Sequence, residues 1–135
     1  MPSAEKSPSP AIRQKVVVCI EDDPDFLNLM QLMLNDSNLK IIPALGGMAG
    51  LEAISKNHPD LVLLDLMMPD MHGWEVYMKM RADEKTRDIP VIVVTALATR
   101  YDQTFGRRVA KVSDYITKPF LPSQLRQSIQ AVLAN

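Results

Sequence analysis

The chain has one cysteine, two histidines and few aromatic residues, which make up only 5% of its 135 positions. A single cysteine closes no internal disulfide, so the fold must stand on burial alone, and such cysteine usage matches a reducing, cytoplasmic setting. Cys19 lies inside the apolar run Val16-Val17-Val18-Cys19-Ile20, where a thiol is a small buried hydrophobe rather than a nucleophile or a metal ligand. His58 and His72 share no ligand spacing with any partner, which argues against a histidine metal centre. No apolar run approaches the length of a membrane span, and the N-terminus has no apolar signal-peptide core. The net charge is −1 and no basic stretch is interleaved with aromatics, so there is no signature of direct nucleic-acid binding.

What is present suits one soluble domain. Hydrophobic residues make up 47% of the chain, and a chain of this length buries enough surface to fold without staples. No internal repeat or second domain is visible. The charge is unevenly spread: Ala98 to Asn135 holds six Lys/Arg against two Asp/Glu, or +4, which leaves −5 for Met1 to Leu97. Met1 to Pro10 contains three Pro and three Ser without apolar periodicity. Residues 1–13 are therefore expected to form a disordered leader and residues 14–135 the domain.

Strand and helix patterns then alternate. The strand Lys15 to Ile20 leads into Glu21-Asp22-Asp23-Pro24, where Asp23 suits a helix N-cap better than a metal ligand and Pro24 suits the first helical position. Phe26, Leu27, Met30, Met33 and Leu34 give that helix one apolar face, ending near Asn35. A short strand over Lys40 to Ala44 and a helix from Gly46-Gly47 to Asn57 follow. Leu61 to Leu64 reads as a strand buried on both faces and ends directly in Asp65. Pro69 and Gly73 bracket a loop before a third helix carrying Trp74, Val76, Tyr77 and Met80. Pro90 to Thr95 is the fourth strand, Arg100 to Lys111 a weakly patterned fourth helix, Asp114 to Thr117 the fifth strand, and Pro122 to Leu133 the last helix. Five alternations indicate a three-layer α/β fold with a parallel sheet.

In a doubly wound sheet the functional crevice lies at the carboxyl ends of the strands. Glu21-Asp22, Asp65, Thr95 and Lys118 each follow a different strand at that edge. Converging carboxylates repel, and a hard divalent cation such as Mg²⁺ resolves the conflict. A carboxylate beside that cation can attack a phosphoryl group, with a hydroxyl and an ammonium holding its oxygens.

Glu21-Asp22, Asp65 in Leu-Leu-Asp-Leu-Met-Met-Pro-Asp-Met-His-Gly, Thr95-Ala96 and Tyr115-Ile116-Thr117-Lys118-Pro119-Phe120 resemble the receiver domain of two-component response regulators. The resemblance runs from Lys15 to the C-terminus. It implies a flavodoxin-like sheet of order 2-1-3-4-5 with five helices. It implies further that Asp65 accepts a phosphoryl group from a histidine kinase or histidine phosphotransfer protein. Asp22 and Asp65 would bind Mg²⁺ directly, Glu21 would assist, with a bridging water as one route, and Met67 would lend its backbone carbonyl. Thr95 and Lys118 would hold the phosphoryl oxygens, Thr95 and Tyr115 would form the switch, and Lys118-Pro119 would be cis. Output would pass through the face of the fourth helix, fifth strand and fifth helix, either to a partner or in a phosphorylation-dependent homodimer.

Two other readings compete: a degenerate receiver that binds partners without phosphorylation, and a Mg²⁺-dependent phosphohydrolase with an aspartyl nucleophile. The second is disfavoured because such enzymes commonly place another Asp two residues on, where this chain has Met67. One departure from the family is the segment Ala110-Lys111-Val112-Ser113, which lacks the glycine that eases a left-handed helix end. An unusual fourth helix is therefore expected. Arg100, Arg107, Arg108 and Lys111 read as a solvated helix face, with an acidic docking partner as the alternative. In the resemblance Met67 and Leu97 flank the route of the attacking water, and neither side chain can orient it, which implies a long-lived phosphoryl group.

Overall fold

The computed structural model describes residues 13–35, 38–97 and 99–134. The expected leader, apart from Arg13, lies outside the described residues. The elements run β1 (Lys15–Glu21), α1 (Pro24–Met33), β2 (Leu39–Leu45), α2 (Gly47–Asn57), β3 (Leu61–Leu64), α3 (Gly73–Ala82), β4 (Val91–Thr95), α4 (Arg100–Thr104) continued by a π-helical segment (Phe105–Ala110), β5 (Asp114–Thr117) and α5 (Pro122–Leu133). The strands are parallel in the expected order β2-β1-β3-β4-β5, with Val17 beside Leu61, Val62 beside Val91 and Val94 beside Ile116.

Period-two alternation sorts each strand onto the two helical layers. Val18, Ile20, Val62, Leu64, Val91 and Val93 join Ile54 of α2 and Val76, Tyr77 and Met80 of α3 in one core. Val17, Cys19, Leu61, Leu63, Ile92 and Val94 join Leu27 and Met30 of α1 and Leu125 and Ile129 of α5 in the other. All four residues of β3 are buried, as its uninterrupted apolar run requires. Pro43 stands in β2, where the edge of the sheet tolerates its missing N–H. Among the described residues no helix is long and apolar enough to cross a membrane.

Caps follow local chemistry. The side chain of Asp23 accepts from the N–H of Asp25 and Pro24 opens α1, as the sequence implies. Asp70 caps α2 from the loop after β3, its carboxylate accepting from Gly47 and Met48 N–H at 3.1 Å each. Those two donors hold the Asp70 carboxyl below its ordinary range. His72 caps α3, Nδ1 accepting from Trp74 N–H at 3.1 Å.

The fourth helix departs from a regular one. After Thr104 the backbone widens to π geometry, and it ends at Lys111, whose φ of 59° is left-handed. Gly106 explains where the widening sits: a Cβ there would lie 2.9 Å from Tyr115 Cδ2 and 3.2 Å from Trp74 Cη2. The aromatic rings of Trp74 and Phe105 meet edge to face at 4.9 Å, clamping the segment onto α3. Lys111 takes the conformation that a glycine would normally occupy.

Candidate functional site

The carboxyl ends of β1, β3, β4 and β5 meet at one edge of the sheet. Glu21 is the last residue of β1, one position further into the strand than its sequence suggested. Its Oε2 accepts from the N–H of Asp22 at 3.1 Å and of Asp23 at 3.2 Å, while Oε1 accepts from Lys118 Nζ at 2.7 Å. Asp65, directly after β3, accepts from Met67 N–H at 3.3 Å, and its other oxygen lies 3.7 Å from Lys118 Nζ. One carboxylate oxygen each from Glu21, Asp22 and Asp65 can be chosen so that all lie within 4.8 Å of one another.

Burial sets the energetics. Glu21 is 4% exposed and Asp65 5%, whereas Asp22 opens further to solvent. Burial drives the Glu21 carboxyl up from its ordinary 4.5 to about 7; the Lys118 hydrogen bond opposes the shift and the Asp65 charge adds to it. Cys19, beneath the site, is pushed up to about 12 by burial and by the Glu21 charge, which keeps it an inert thiol. Lys118 is itself well held: its ammonium sits 4.0 Å above the Phe26 ring, which meets Phe120 edge-on. Three carboxylates against one ammonium leave a formal −2 at the cluster. A hard divalent cation with oxygen ligands fits that charge and that donor set.

The remaining sequence-predicted residues flank this cluster. Thr95, at the end of β4, is fully buried, and its Oγ1 accepts from Leu97 N–H at 3.3 Å. Lys118 N–H donates to Thr95 O at 2.8 Å, and the Lys118-Pro119 peptide is cis. Tyr115 is 4% exposed, its hydroxyl donating to the carbonyl of Leu97 at 2.6 Å. Burial pushes that phenol up to about 12, with the Asp102 charge adding to the shift. The Met67 side chain is about half exposed; with Met68, Pro69, His72 and Leu97 it lines an apolar cavity of about 420 Å³.

Sequence reasoning missed two contributors. Gly73 looked only like a loop boundary, yet a Cβ there would lie 2.4 Å from the Asp65 carbonyl oxygen and 2.6 Å from Leu66 Cα. Arg107 looked like a solvated residue, yet it donates to the Tyr115 carbonyl at 3.0 Å and lies 3.5 Å from the Asp114 carboxylate. Neither contact has a motif in the sequence, since each depends on how a helix packs back on the adjoining strand.

A family model for the response regulator receiver domain matches residues 17–130. The chain belongs to this family. The receiver is 34% identical over 117 residues to the DNA-binding dual master transcriptional regulator RpaA of Synechocystis sp., a match covering 87% of this chain and 48% of that protein. It is 31% identical over 119 residues to Protein PilH of Pseudomonas aeruginosa, covering 88% of this chain and 98% of PilH. The chain thus spans about half the length of the first curated relatives it matches. Among solved structures, the N-terminal receiver domain of Klebsiella pneumoniae RstA in a BeF3-activated form aligns with a TM-score of 0.80 at 27% identity, over 89% of this chain and 99% of that one. The two-component receiver architecture and its acidic cluster are therefore those of a signalling domain.

Proposed function

We propose that Asp65 accepts a phosphoryl group from a histidine kinase or a histidine phosphotransfer protein in the cytoplasm. Mg²⁺ would be held by Glu21, Asp22, Asp65 and the backbone carbonyl of Met67. The observation that carries this reading is the convergence of the three carboxylates within 4.8 Å, with Lys118 Nζ 3.7 Å from Asp65. Bound Mg²⁺ supplies charge neutralisation between carboxylates and phosphoryl oxygens.

A carboxylate oxygen of Asp65 attacks phosphorus, the bond from phosphorus to the donor breaks with its electron pair on the donor, and an acyl phosphate forms. Lys118 holds one phosphoryl oxygen through its charge and Thr95 donates its hydroxyl to another. Water later attacks phosphorus, returning the Asp65 carboxylate and inorganic phosphate. The chain's own catalysis is confined to these two steps. Output follows from Thr95 and Tyr115, which grip the N–H and carbonyl of one residue, Leu97, and it leaves through the face of α4, β5 and α5.

The deciding experiment is labelling with a small-molecule phosphodonor, followed by intact mass, with and without Mg²⁺, on wild type and Asp65→Asn. The wild type should gain one phosphoryl group only with Mg²⁺, and the variant none. Equal labelling of the two proteins overturns the assignment.

A further inference from the structure

The C-terminal part of the chain collects charge that the phosphoacceptor cluster does not use. Arg100, Gln103, Thr104, Arg107 and Arg108 line a shallow cavity of about 550 Å³ on α4 and the π segment. Arg100, Gln103 and Thr104 are spaced as one face of α4, and the wider π turn brings Arg107 and Arg108 to the same cavity. Arg107 is partly engaged by Tyr115 and Asp114. Arg100 and Arg108 are exposed, and among the described residues neither side chain has a hydrogen-bonding or ion-pair partner. One position beyond each of these two stands a large exposed apolar side chain, Tyr101 at 79% and Val109 at 65%. Arginine and tyrosine beside an aliphatic residue are the side chains that dominate protein-protein hot spots.

Charge selects the occupant. A two-fold pairing whose axis passed through this patch would bring its arginines close to their own copies. The face's own acids offset them only in part: Asp114 pairs with Arg107 and Asp102 is hydrogen-bonded to Thr99, and neither is paired with Arg100 or Arg108. Binding of a single-stranded nucleic acid relies on several aromatic platforms along a basic groove, and among the described residues of this face Tyr101 is the exposed aromatic.

We propose that the face of α4 and the π segment docks an acidic segment of a partner protein, whose carboxylates pair with Arg100, Arg107 and Arg108 while its apolar side chains cover Tyr101 and Val109. The guanidinium fork matches carboxylates in two-point pairs, which gives the contact direction as well as attraction. The proposal rests on the reading of this face as the output surface, and it supplies the partner's chemistry. The coupling to the switch is short: Arg107 holds the Tyr115 carbonyl and Gly106 lies against the Tyr115 ring.

The test titrates four probes into isotope-labelled receiver, unmodified and phosphorylated, while following backbone resonances. The probes are a synthetic peptide with Glu and Leu at helical spacing, a scramble of the same composition, a single-stranded DNA of equal charge, and the receiver itself by sedimentation. The patterned peptide should move resonances of residues 99–111 in at least one of the two states and bind about tenfold tighter than its scramble. The double variant Arg100→Glu/Arg108→Glu should weaken it by about tenfold or more while labelling of Asp65 keeps its rate. Arg100→Gln/Arg108→Gln should give a smaller loss in the same direction, separating lost attraction from any effect of reversed charge. Equal binding by the scramble, tighter binding by DNA, no binding by any probe, or a dimer that the double variant abolishes each overturns the proposal. Failure of Asp65 labelling in the wild type would instead strike the phosphoacceptor reading and leave the peptide result standing.

Discussion

Replacing Gly73 with alanine probes how tightly the fold positions the proposed phosphoacceptor. The added methyl carbon would sit 2.4 Å from the Asp65 carbonyl oxygen and 2.6 Å from Leu66 Cα. Ordinary contact between carbon and carbonyl oxygen begins at roughly 3.3 Å, so α3 and the end of β3 must part by about 1 Å. Both colliding atoms are backbone, so no rotamer change absorbs the overlap. Such overpacking costs about 1–3 kcal/mol, which a domain with a total stability of roughly 5–15 kcal/mol survives. The site is hit harder. A misplacement of about 1 Å at a reacting group can cost about a hundredfold in rate, and here the displaced carbonyl belongs to Asp65 itself. Gly73→Ala should therefore unfold at lower urea and take up phosphoryl groups from a small donor about a hundredfold more slowly. The sign is the sharp part, because glycine to alanine within a helix normally stabilises by about 1 kcal/mol. A variant as stable as wild type that labels at the wild-type rate would refute the reasoning.

Lys111→Gly should raise stability by a few tenths to about 1 kcal/mol, since φ of 59° strains any Cβ and the side chain is exposed; thermal unfolding reads it, and a loss would contradict the strain. Met67→Asn should hasten loss of the phosphoryl group, because a polar amide at the mouth of the apolar cavity can orient water where methionine cannot; a decay time course on purified phosphoprotein decides, and an unchanged or slower rate sinks the idea. In metal-free buffer the raised Glu21 carboxyl makes the folded state hold a proton that the unfolded chain has already released between pH 4.5 and about 7. Its contribution to stability is full below that window and declines as pH rises through it. Glu21→Gln should flatten this part of the stability profile, and a profile unchanged in the variant would show that another group is responsible.

Much of the fold was legible because its determinants are local. Asp23-Pro24 announces a helix start, the apolar run Val16 to Ile20 announces a buried strand, and Leu61 to Leu64 announces full burial. The rim residues were legible for a related reason, since each directly follows an apolar strand and parallel strands place their ends at one edge. The π segment was not legible as such. Its apolar pattern is weak, and the widening coincides with the close packing of Gly106 on Tyr115 and Trp74, residues from two other elements. The missing glycine at position 111 did signal an irregular end, and the structure resolves it by placing lysine itself in the left-handed region. Asp70 as the cap of α2 lacked any local signal, because its acceptors and donors are more than twenty residues apart.

These tertiary contacts also explain how an event at Asp65 can reach a surface. Leu97 is held at both backbone groups, its N–H by Thr95 and its carbonyl by Tyr115. A hydroxyl has one proton to donate and lone pairs to accept with, so Thr95 can donate to a phosphoryl oxygen without releasing the Leu97 N–H. In the proposed switch, movement of Thr95 toward Asp65 would therefore drag Leu97 rather than free it. The Leu97 carbonyl would then shift under the Tyr115 hydroxyl, and the Tyr115 ring would press on Gly106, where a Cβ would already lie 2.9 Å from it. Because Tyr115 is already buried, the signal on this route would be a displacement of packed groups and not a passage of the ring from solvent to core. The π segment lies against it through Gly106 and Arg107, so on this reading the displacement would pass to that segment and to Arg107 and Arg108.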